Sequence, residues 1–127
     1  MVDLTKVEEA RTWHLFKPCE SGRELVFGPQ VPEDEMWVLT SMHAKNNQDI
    51  ARKHLGRVTP EINVAVYDGE EWLCLASVAD AAQFEGAAWS GNILMGPGWQ
   101  LGTWFRGAKE GDTLQSDATY HKLAVTS

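Results

Sequence analysis

The sequence has few cysteines, and the two that it has suggest no cross-link or metal site. Cys19 and Cys74 are its only cysteines. They lie far apart in the chain, and neither belongs to a CxxC pair or another spacing typical of metal ligands. The spacing therefore favours two reduced, mainly structural thiols over a disulfide. Cys74 stands between leucines in "EWLCLAS", which predicts a core position rather than a reactive thiolate.

Basic residues and long apolar runs are also scarce. Lysine and arginine total 11 against 18 acidic residues, which gives a net charge of -7. Binding to a phosphate backbone requires clustered positive charge, so we expect no nucleic-acid partner. No run approaches the roughly 18 apolar residues of a membrane span, and the first residues show no signal-peptide pattern. The sequence predicts a soluble chain made in the cytoplasm, without a membrane partner.

Familiar catalytic and cofactor-binding motifs are missing as well. The chain has neither a G-x-S-x-G elbow nor a glycine-rich phosphate loop. No two of its histidines are two, three or four residues apart, as local zinc sites usually require; they are His14, His43, His54 and His121. Strands of a sandwich could still bring His43 and His121 together, so a cupin-like enzyme with a bound metal is one alternative. The favoured prediction is a protein that is not an enzyme and has no metal or cofactor.

What the sequence does contain is a regular series of short apolar runs separated by turns. With 127 residues, it is long enough for one domain with its own core. This pattern predicts an all-β fold, a two-sheet antiparallel β-sandwich of the jelly-roll kind. An extended or partly helical N-terminal arm with the first strands would occupy 1–30, and the sandwich body 31–127. The eight expected strands lie at about 11–16, 24–27, 36–44, 58–67, 71–78, 92–95, 100–106 and 113–123.

Individual segments add local predictions. Around 100–106, Leu101 and Phe105 alternate with Gly102, Trp104 and Arg106, as in a strand with one buried face. The pair Asp68-Gly69 between two apolar runs predicts a hairpin with a type I′ turn. The strand at 36–44 is apolar on both faces, which predicts cover on both sides. Three segments allow a short helical stretch as an alternative: 3–13, where Thr5 and Glu8 form a possible capping box, 46–58 and 77–92.

Tryptophan is abundant, with six in the chain, more than one small sandwich would bury. Tryptophan and arginine dominate the energetic centres of protein interfaces. We therefore predict an interface formed by Trp13, Phe16, Trp89, Trp99, Trp104 and Arg106. Two alternatives stay open at this point. These tryptophans could pack under loops at the edge of the core, or Trp89, Trp99 and Trp104 could form a platform on which sugar rings stack.

Three stretches resemble small bacteriophage virion proteins with a jelly-roll-like β-sandwich, such as capsid decoration proteins and head or tail accessory proteins. They are "VPEDEMWVLTSMHA" at 31–44, "INVAVYDGEEWLCLAS" at 62–77 and "ILMGPGWQLGTWFRGAKEGDTLQSDATYHKL" at 93–123. In such proteins a proline-and-acid turn leads into a W-x-L strand, a D-G hairpin crosses the middle, and a glycine-aspartate turn precedes the last strand. The similarity covers roughly 31–123.

The resemblance implies a structural subunit of the virion that has no catalytic activity. Such subunits are often homo-oligomers, frequently trimers, that bind capsid or tail proteins. The particular function expected is that of a capsid decoration or cement subunit on the head. The alternatives are a neck or tail accessory protein and, from another class, a carbohydrate-binding module.

Overall fold

The computed structural model describes residues 2–19, 23–47, 61–79, 86–108 and 112–125. Its elements are eight strands: β1 (Val2–Pro18), β2 (Arg23–Gln30), β3 (Trp37–Asn47), β4 (Glu61–Tyr67), β5 (Trp72–Ala79), β6 (Gly86–Met95), β7 (Gln100–Arg106) and β8 (Thr113–Val125). No helix occurs in these ranges. The predicted helical alternative at 46–58 falls mostly outside them, and so does His54.

The strands form two four-stranded sheets, ordered β1-β8-β3-β6 and β2-β7-β4-β5. All neighbouring strands are antiparallel. Consecutive strands lie in different sheets, except for β4 and β5, which form a hairpin. This is the jelly-roll arrangement of two interleaved Greek keys, and it confirms the predicted all-β sandwich.

The core lies between the two sheets, and alternate residues of most strands supply it. Its largest fully buried side chains include Phe105, Leu39, Met42, Ile62 and Leu101. In β7 the alternation is as predicted, because Leu101, Thr103 and Phe105 face the core while Trp104 and Arg106 face outward. In a strand with one buried face, every second side chain points to the core, so apolar residues recur with a period of two.

The N-terminal arm is extended. From Thr12 to Pro18 the side chains of β1 alternate between exposed and half-buried, and β1 pairs with β8 along its length, with irregularities only between Asp3 and Glu9. Pairing with β8 satisfies backbone groups that a single short helix turn would leave to water. The helical alternative at Thr5 and Glu8 is therefore wrong.

A β-bulge explains why β3 is apolar on both of its faces. The pairing of β3 with both neighbours shifts between Leu39 and Ser41. Against β8, Leu39 pairs with Tyr120 and Ser41 with Thr119, so Thr40 is the extra residue there. The bulge changes the parity of the strand. Trp37 and Leu39 before it face the core, and so do Met42 and Ala44 after it. The predicted cover on both sides is not needed to account for this sequence.

The hairpin between β4 and β5 is confirmed, with its turn one residue later than predicted. The backbone N–H of Asp68 donates to the carbonyl of Glu71 at 3.1 Å, which leaves Gly69 and Glu70 as the two central residues. Gly69 has a φ of 99°, a conformation that favours glycine. The Asp68 carboxylate accepts from the N–H groups of Glu70 and Glu71, both at 2.9 Å, and these hydrogen bonds lower the pKa of Asp68.

An aromatic and ionic cluster connects β1, β3 and β8 near the start of β3. Trp37 stacks on Tyr120 with ring centroids 4.4 Å apart, and the Arg11 guanidinium lies 5.9 Å from the centre of the Trp37 ring. Glu35 accepts hydrogen bonds from Trp37 Nε1 and Arg11 Nη1, both at 2.9 Å. The bond from Trp37 and the charge of Arg11 together hold the pKa of Glu35 below its ordinary value.

The lowered pKa of Glu35 predicts a specific loss of stability in acid. The contribution of the charged form is complete above the pKa of an unfolded glutamate, about 4.3, and is lost as the pH falls through the lower pKa of the folded chain. Chemical denaturation from pH 7 to pH 3 should therefore show the wild type losing more stability than Glu35→Gln. The other acids titrate in both proteins and cancel in the difference. Parallel pH profiles would contradict this role of Glu35.

Candidate binding surfaces

Three of the predicted interface tryptophans pack against the core. Trp13, Trp89 and Trp99 are half-buried and contact the core cluster. Trp13 lies over Gly28, where an added Cβ would come within 3.0 Å of the indole ring. Trp89 belongs to β6 in the first sheet, and Trp104 lies on the outer face of the second. The structure therefore does not bring Trp89, Trp99 and Trp104 together as a platform for sugar rings.

Trp104 instead belongs to a strip of aromatic side chains on the outer face of β2-β7-β4-β5. We call Phe27, Tyr67, Trp72 and Trp104 the aromatic strip. Trp72 is its centre, with ring centroids 5.9 Å from Phe27, 5.2 Å from Tyr67 and 5.5 Å from Trp104. The ring planes are tilted by 38° to 59° to one another, so the rings pack together and do not form a flat surface.

Gly102 makes the position of Trp72 possible. A Cβ at residue 102 would lie 2.5 Å from the Trp72 ring, closer than any two carbon atoms in contact. The missing side chain on β7 therefore lets the Trp72 indole, which comes from β5, approach the backbone of the strand closely. The sequence prediction placed Gly102 on the same face as Trp104 but did not identify Trp72 as its neighbour.

A shallow pocket lies next to Trp104, at the end of the strip. It has a volume of about 370 Å³ and is lined by Glu61, Asn63, Trp104, Phe105 and Arg106. The strand register places Asn63 directly opposite Trp104 and Glu61 directly opposite Arg106. The four outward side chains therefore come from two adjacent cross-strand pairs on β4 and β7.

The polar groups of this pocket bind one another only weakly. The Arg106 guanidinium is 3.9 Å from the Glu61 carboxylate, and Asn63 Nδ2 donates to Glu61 at 3.4 Å. Both distances are long for a charge-assisted or amide hydrogen bond. Donors and acceptors around the Trp104 ring therefore keep capacity for another molecule.

A different exposed surface lies along β1. Five large apolar side chains are exposed in the described ranges, and two of them, Val7 and Phe16, belong to this strand. Phe16 is 55% exposed and packs edge-to-face with the His14 ring, at a centroid distance of 4.5 Å. β1 is the outermost strand of its sheet, so no strand among the described residues lies along its second edge.

Two histidines flank one carboxylate on the outer face of β1-β8-β3. Asp117 on β8 contacts Nδ1 of His14 on β1 and lies 3.6 Å from Nδ1 of His43 on β3. Partial burial raises the pKa of Asp117, but hydrogen bonds from Gln115 and His14 outweigh this and lower it. His43 and His14 thus flank the same carboxylate. His43 lies opposite Asp117, whereas His121 lies opposite Val38, so the pairing of His43 with His121 considered for a cupin-like site does not occur.

No group of three or more possible metal ligands in the described ranges is arranged to hold an ion. Nor does any helix in that part of the chain have the length and apolarity needed to cross a membrane. The two thiols differ in position, because Cys19 is buried and Cys74 is exposed. The predicted core position of Cys74 is wrong: the strand pairing shifts between Val64 and Ala65, and this irregularity changes which residues of the edge strand β5 face outward.

Sequence reasoning found two of the pocket residues, Trp104 and Arg106, and missed Glu61 and Asn63. A signal for the missed pair was present, because both alternate with the buried Ile62 and Val64. Alternation places residues on a common face but does not say which strand lies alongside. The contact between the β4 pair and the β7 pair depends on a pairing that is distant in sequence.

No protein-family model matches this chain, and no curated protein matches it. Among solved structures, it is similar to a chain in the structure of infectious bursal disease virus, Gx strain, with a TM-score of 0.43 and 7% sequence identity. The match covers 94% of this chain and 32% of that one, so this chain spans about a third of its neighbour's length.

Proposed function

We propose that this chain is a structural subunit of a virus particle, and more particularly a decoration or cement subunit on a bacteriophage head. The jelly-roll topology supports the proposal, because viral shell proteins are among the main users of this fold. Fold alone does not define function, so the observation that carries the proposal is the exposed edge of β1. A neck or tail accessory subunit would use the same surface and is the alternative.

The edge of β1 has the properties of a docking site. β1 is the longest strand, with 17 residues, and long unpaired edges are a hazard that monomeric proteins usually cover or interrupt. Glu8 and Glu9 are exposed near its start and disfavour pairing there. The segment from Thr12 to Pro18 carries Phe16 and fewer charges, so we propose that a neighbouring subunit docks along this half.

The docked partner is a second copy of this chain in the free protein, and capsid or tail proteins in the particle. Docking of this kind would stabilise the particle, because each contact buried between neighbouring subunits adds to the free energy needed to separate them. Trp13 contributes indirectly, because its indole packs against the core and so anchors β1 to the rest of the sandwich. In this proposal the chain has no enzymatic activity and is located in the virion.

Light scattering after size exclusion tests self-association. We expect a mass that is a fixed multiple of the 14.1 kDa chain, three being the expected number, and that persists on dilution. Phe16→Asp should reduce the mass to that of one chain, which circular dichroism should show to be still folded. Phe27→Asp is the matched control, because Phe27 is equally exposed, at 56% against 55% for Phe16, but lies on the other sheet.

Particles test the function itself. An antibody against the chain should label intact virions, and particles assembled with the Phe16→Asp chain should lack the protein while those with Phe27→Asp retain it. A monomer at all concentrations would overturn the homo-oligomer. Equal retention of both variants would overturn docking through β1, and absence of the wild-type protein from virions would overturn the virion assignment.

A further inference from the structure

We propose that the pocket beside Trp104 binds a neutral sugar, a hexopyranose ring stacked on the indole. The site lies on the outer face of β2-β7-β4-β5, in the sheet opposite to β1. It is therefore separate from the edge proposed for docking, and a subunit attached through β1 would keep it accessible. The inference does not depend on the virion assignment.

The pocket has the size and the composition of a small-molecule site. Its volume of about 370 Å³ lies at the lower end of the range of small-molecule sites, roughly 300 to 1,000 Å³, which suits one or two sugar rings. Such sites combine an aromatic or apolar wall with a few polar groups that fix orientation. Here Trp104 is the wall, and Glu61, Asn63 and Arg106 are the polar groups.

The charges of the pocket residues are balanced. Glu61 and Arg106 carry opposite charges and lie directly opposite each other, so the pocket has no net charge of its own. A site for an anion or a cation would have an excess of one sign. Balanced donors and acceptors instead suit hydroxyl groups, each of which both donates and accepts.

The three polar residues of the pocket present complementary hydrogen-bonding groups. The carboxylate of Glu61 only accepts hydrogen bonds, the guanidinium of Arg106 only donates, and the amide of Asn63 does both. Because these groups lie 3.9 Å and 3.4 Å apart, they give up little interaction energy when they rotate to form hydrogen bonds with a ligand. Adjacent hydroxyls of a pyranose can bridge such a set while the C–H face of the ring contacts the indole.

The position of the Trp104 ring is fixed before any ligand arrives. Trp72 packs against it with centroids 5.5 Å apart at 59°, and Trp72 is itself held over Gly102. A ring that is already immobilised loses little entropy on binding, which favours affinity. The aromatic strip is thus the support of the pocket, and Trp104 is the part of it that contacts the ligand.

The test is a titration of the full chain with methyl glycosides of glucose, galactose, mannose and N-acetylglucosamine, followed by the indole N–H signals in two-dimensional NMR. At least one glycoside should shift the Trp104 signal and saturate at a dissociation constant of roughly 0.1 to 10 mM, the weak range expected of a shallow site. Free reducing sugars run in parallel distinguish a terminal glycan residue, which the methyl glycosides imitate, from a free monosaccharide.

Variants locate the site. Trp104→Ala and Asn63→Ala should each weaken binding by about tenfold or more, the effect of losing roughly 1.4 kcal/mol. Leu94→Ala, at an exposed apolar residue of β6 in the other sheet, should bind as the wild type does. The Phe16→Asp chain should also bind normally, which separates failure of this inference from failure of docking through β1.

Two results would show that no sugar binds in this pocket. One is that no glycoside shifts the Trp104 signal at about a hundred times the weakest dissociation constant expected for the site. The other is binding that survives in both folded pocket variants, which would place the sugar elsewhere on the chain. Preference for acetate or for methylammonium over every glycoside would likewise contradict the charge argument and replace the neutral ligand by an ion.

Discussion

Asn46→Asp should unfold the protein or lower its free energy of unfolding by about 3 to 5 kcal/mol, the cost of an uncompensated buried charge. Asn46 is 1% exposed, and its neighbour Asp112 is equally buried. Asn46 Nδ2 donates a hydrogen bond to the Asp112 carboxylate at 3.1 Å. The substitution replaces this donor by a second carboxylate, so an attraction becomes a repulsion in a site with little water.

The unsatisfied oxygen of Asn46 makes the site sensitive. Its Oδ1 has no hydrogen-bond partner among the described residues, so a charge placed there would have none either. Asp112 also holds the strands together, because its backbone carbonyl accepts from the N–H of Cys19 at 2.9 Å. Disruption at this point therefore affects the junction of β1, β3 and β8.

Urea denaturation of the single and double variants measures the effect. Asn46→Asp combined with Asp112→Asn restores one carboxylate and one amide, and should regain at least half of the lost stability. The single variant should also become relatively more stable as the pH falls, because a protonated residue 46 can again donate to Asp112. A loss below about 1 kcal/mol, the ordinary effect of a surface substitution or less, would show that the site is open to water.

The strands of this fold were predictable because most of them depend on local pattern. All eight expected runs correspond to strands, and the alternation in β7 correctly separated Leu101 and Phe105 from Trp104. The same physics applies to each: one face meets the core, so apolar residues recur at every second position. The Asp68-Gly69 hairpin was also readable, because glycine permits the required backbone angle.

The features that were missed depend on strand pairing. Residues 86–91 are rich in alanine and glycine and have little strand propensity of their own. They form a strand because they pair with Ser41 to Lys45 of β3. The bulge at Thr40 and the shift in β4 and β5 that exposes Cys74 are likewise set by neighbouring strands, and no local pattern specifies them.

At the candidate site, too, local sequence patterns predict one part of the arrangement and strand pairing determines the rest. An excess of tryptophan indicated that some indoles lie at a surface but did not say which ones. Trp13, Trp89 and Trp99 pack against the core, while Trp72 joins Trp104 on the outer face because Gly102 leaves room for it. These positions depend on contacts between side chains whose strands are far apart in sequence. Amino-acid composition does not specify such contacts.

Trp37→Ala is the second substitution for which we expect a large effect, a loss of about 3 to 5 kcal/mol. Trp37 is 2% exposed, so its removal leaves a cavity next to Tyr120, on which it stacks. The indole is also the hydrogen-bond donor to Glu35 and lies below the Arg11 guanidinium. One deletion therefore removes packing, a hydrogen bond to a charged group and the surface over which Arg11 is held.

Comparison with two other variants separates these contributions. Trp37→Phe keeps the aromatic stack and loses the donor to Glu35, so it should cost about 1.5 to 3 kcal/mol, the value of a hydrogen bond to a charged group. Trp104→Ala makes the same deletion as Trp37→Ala but on the half-buried outer face, and should cost clearly less. Guanidinium denaturation of all three gives the order directly. Equal losses at residues 37 and 104 would contradict the argument, because they would mean that enclosure between the sheets adds nothing to the value of an indole.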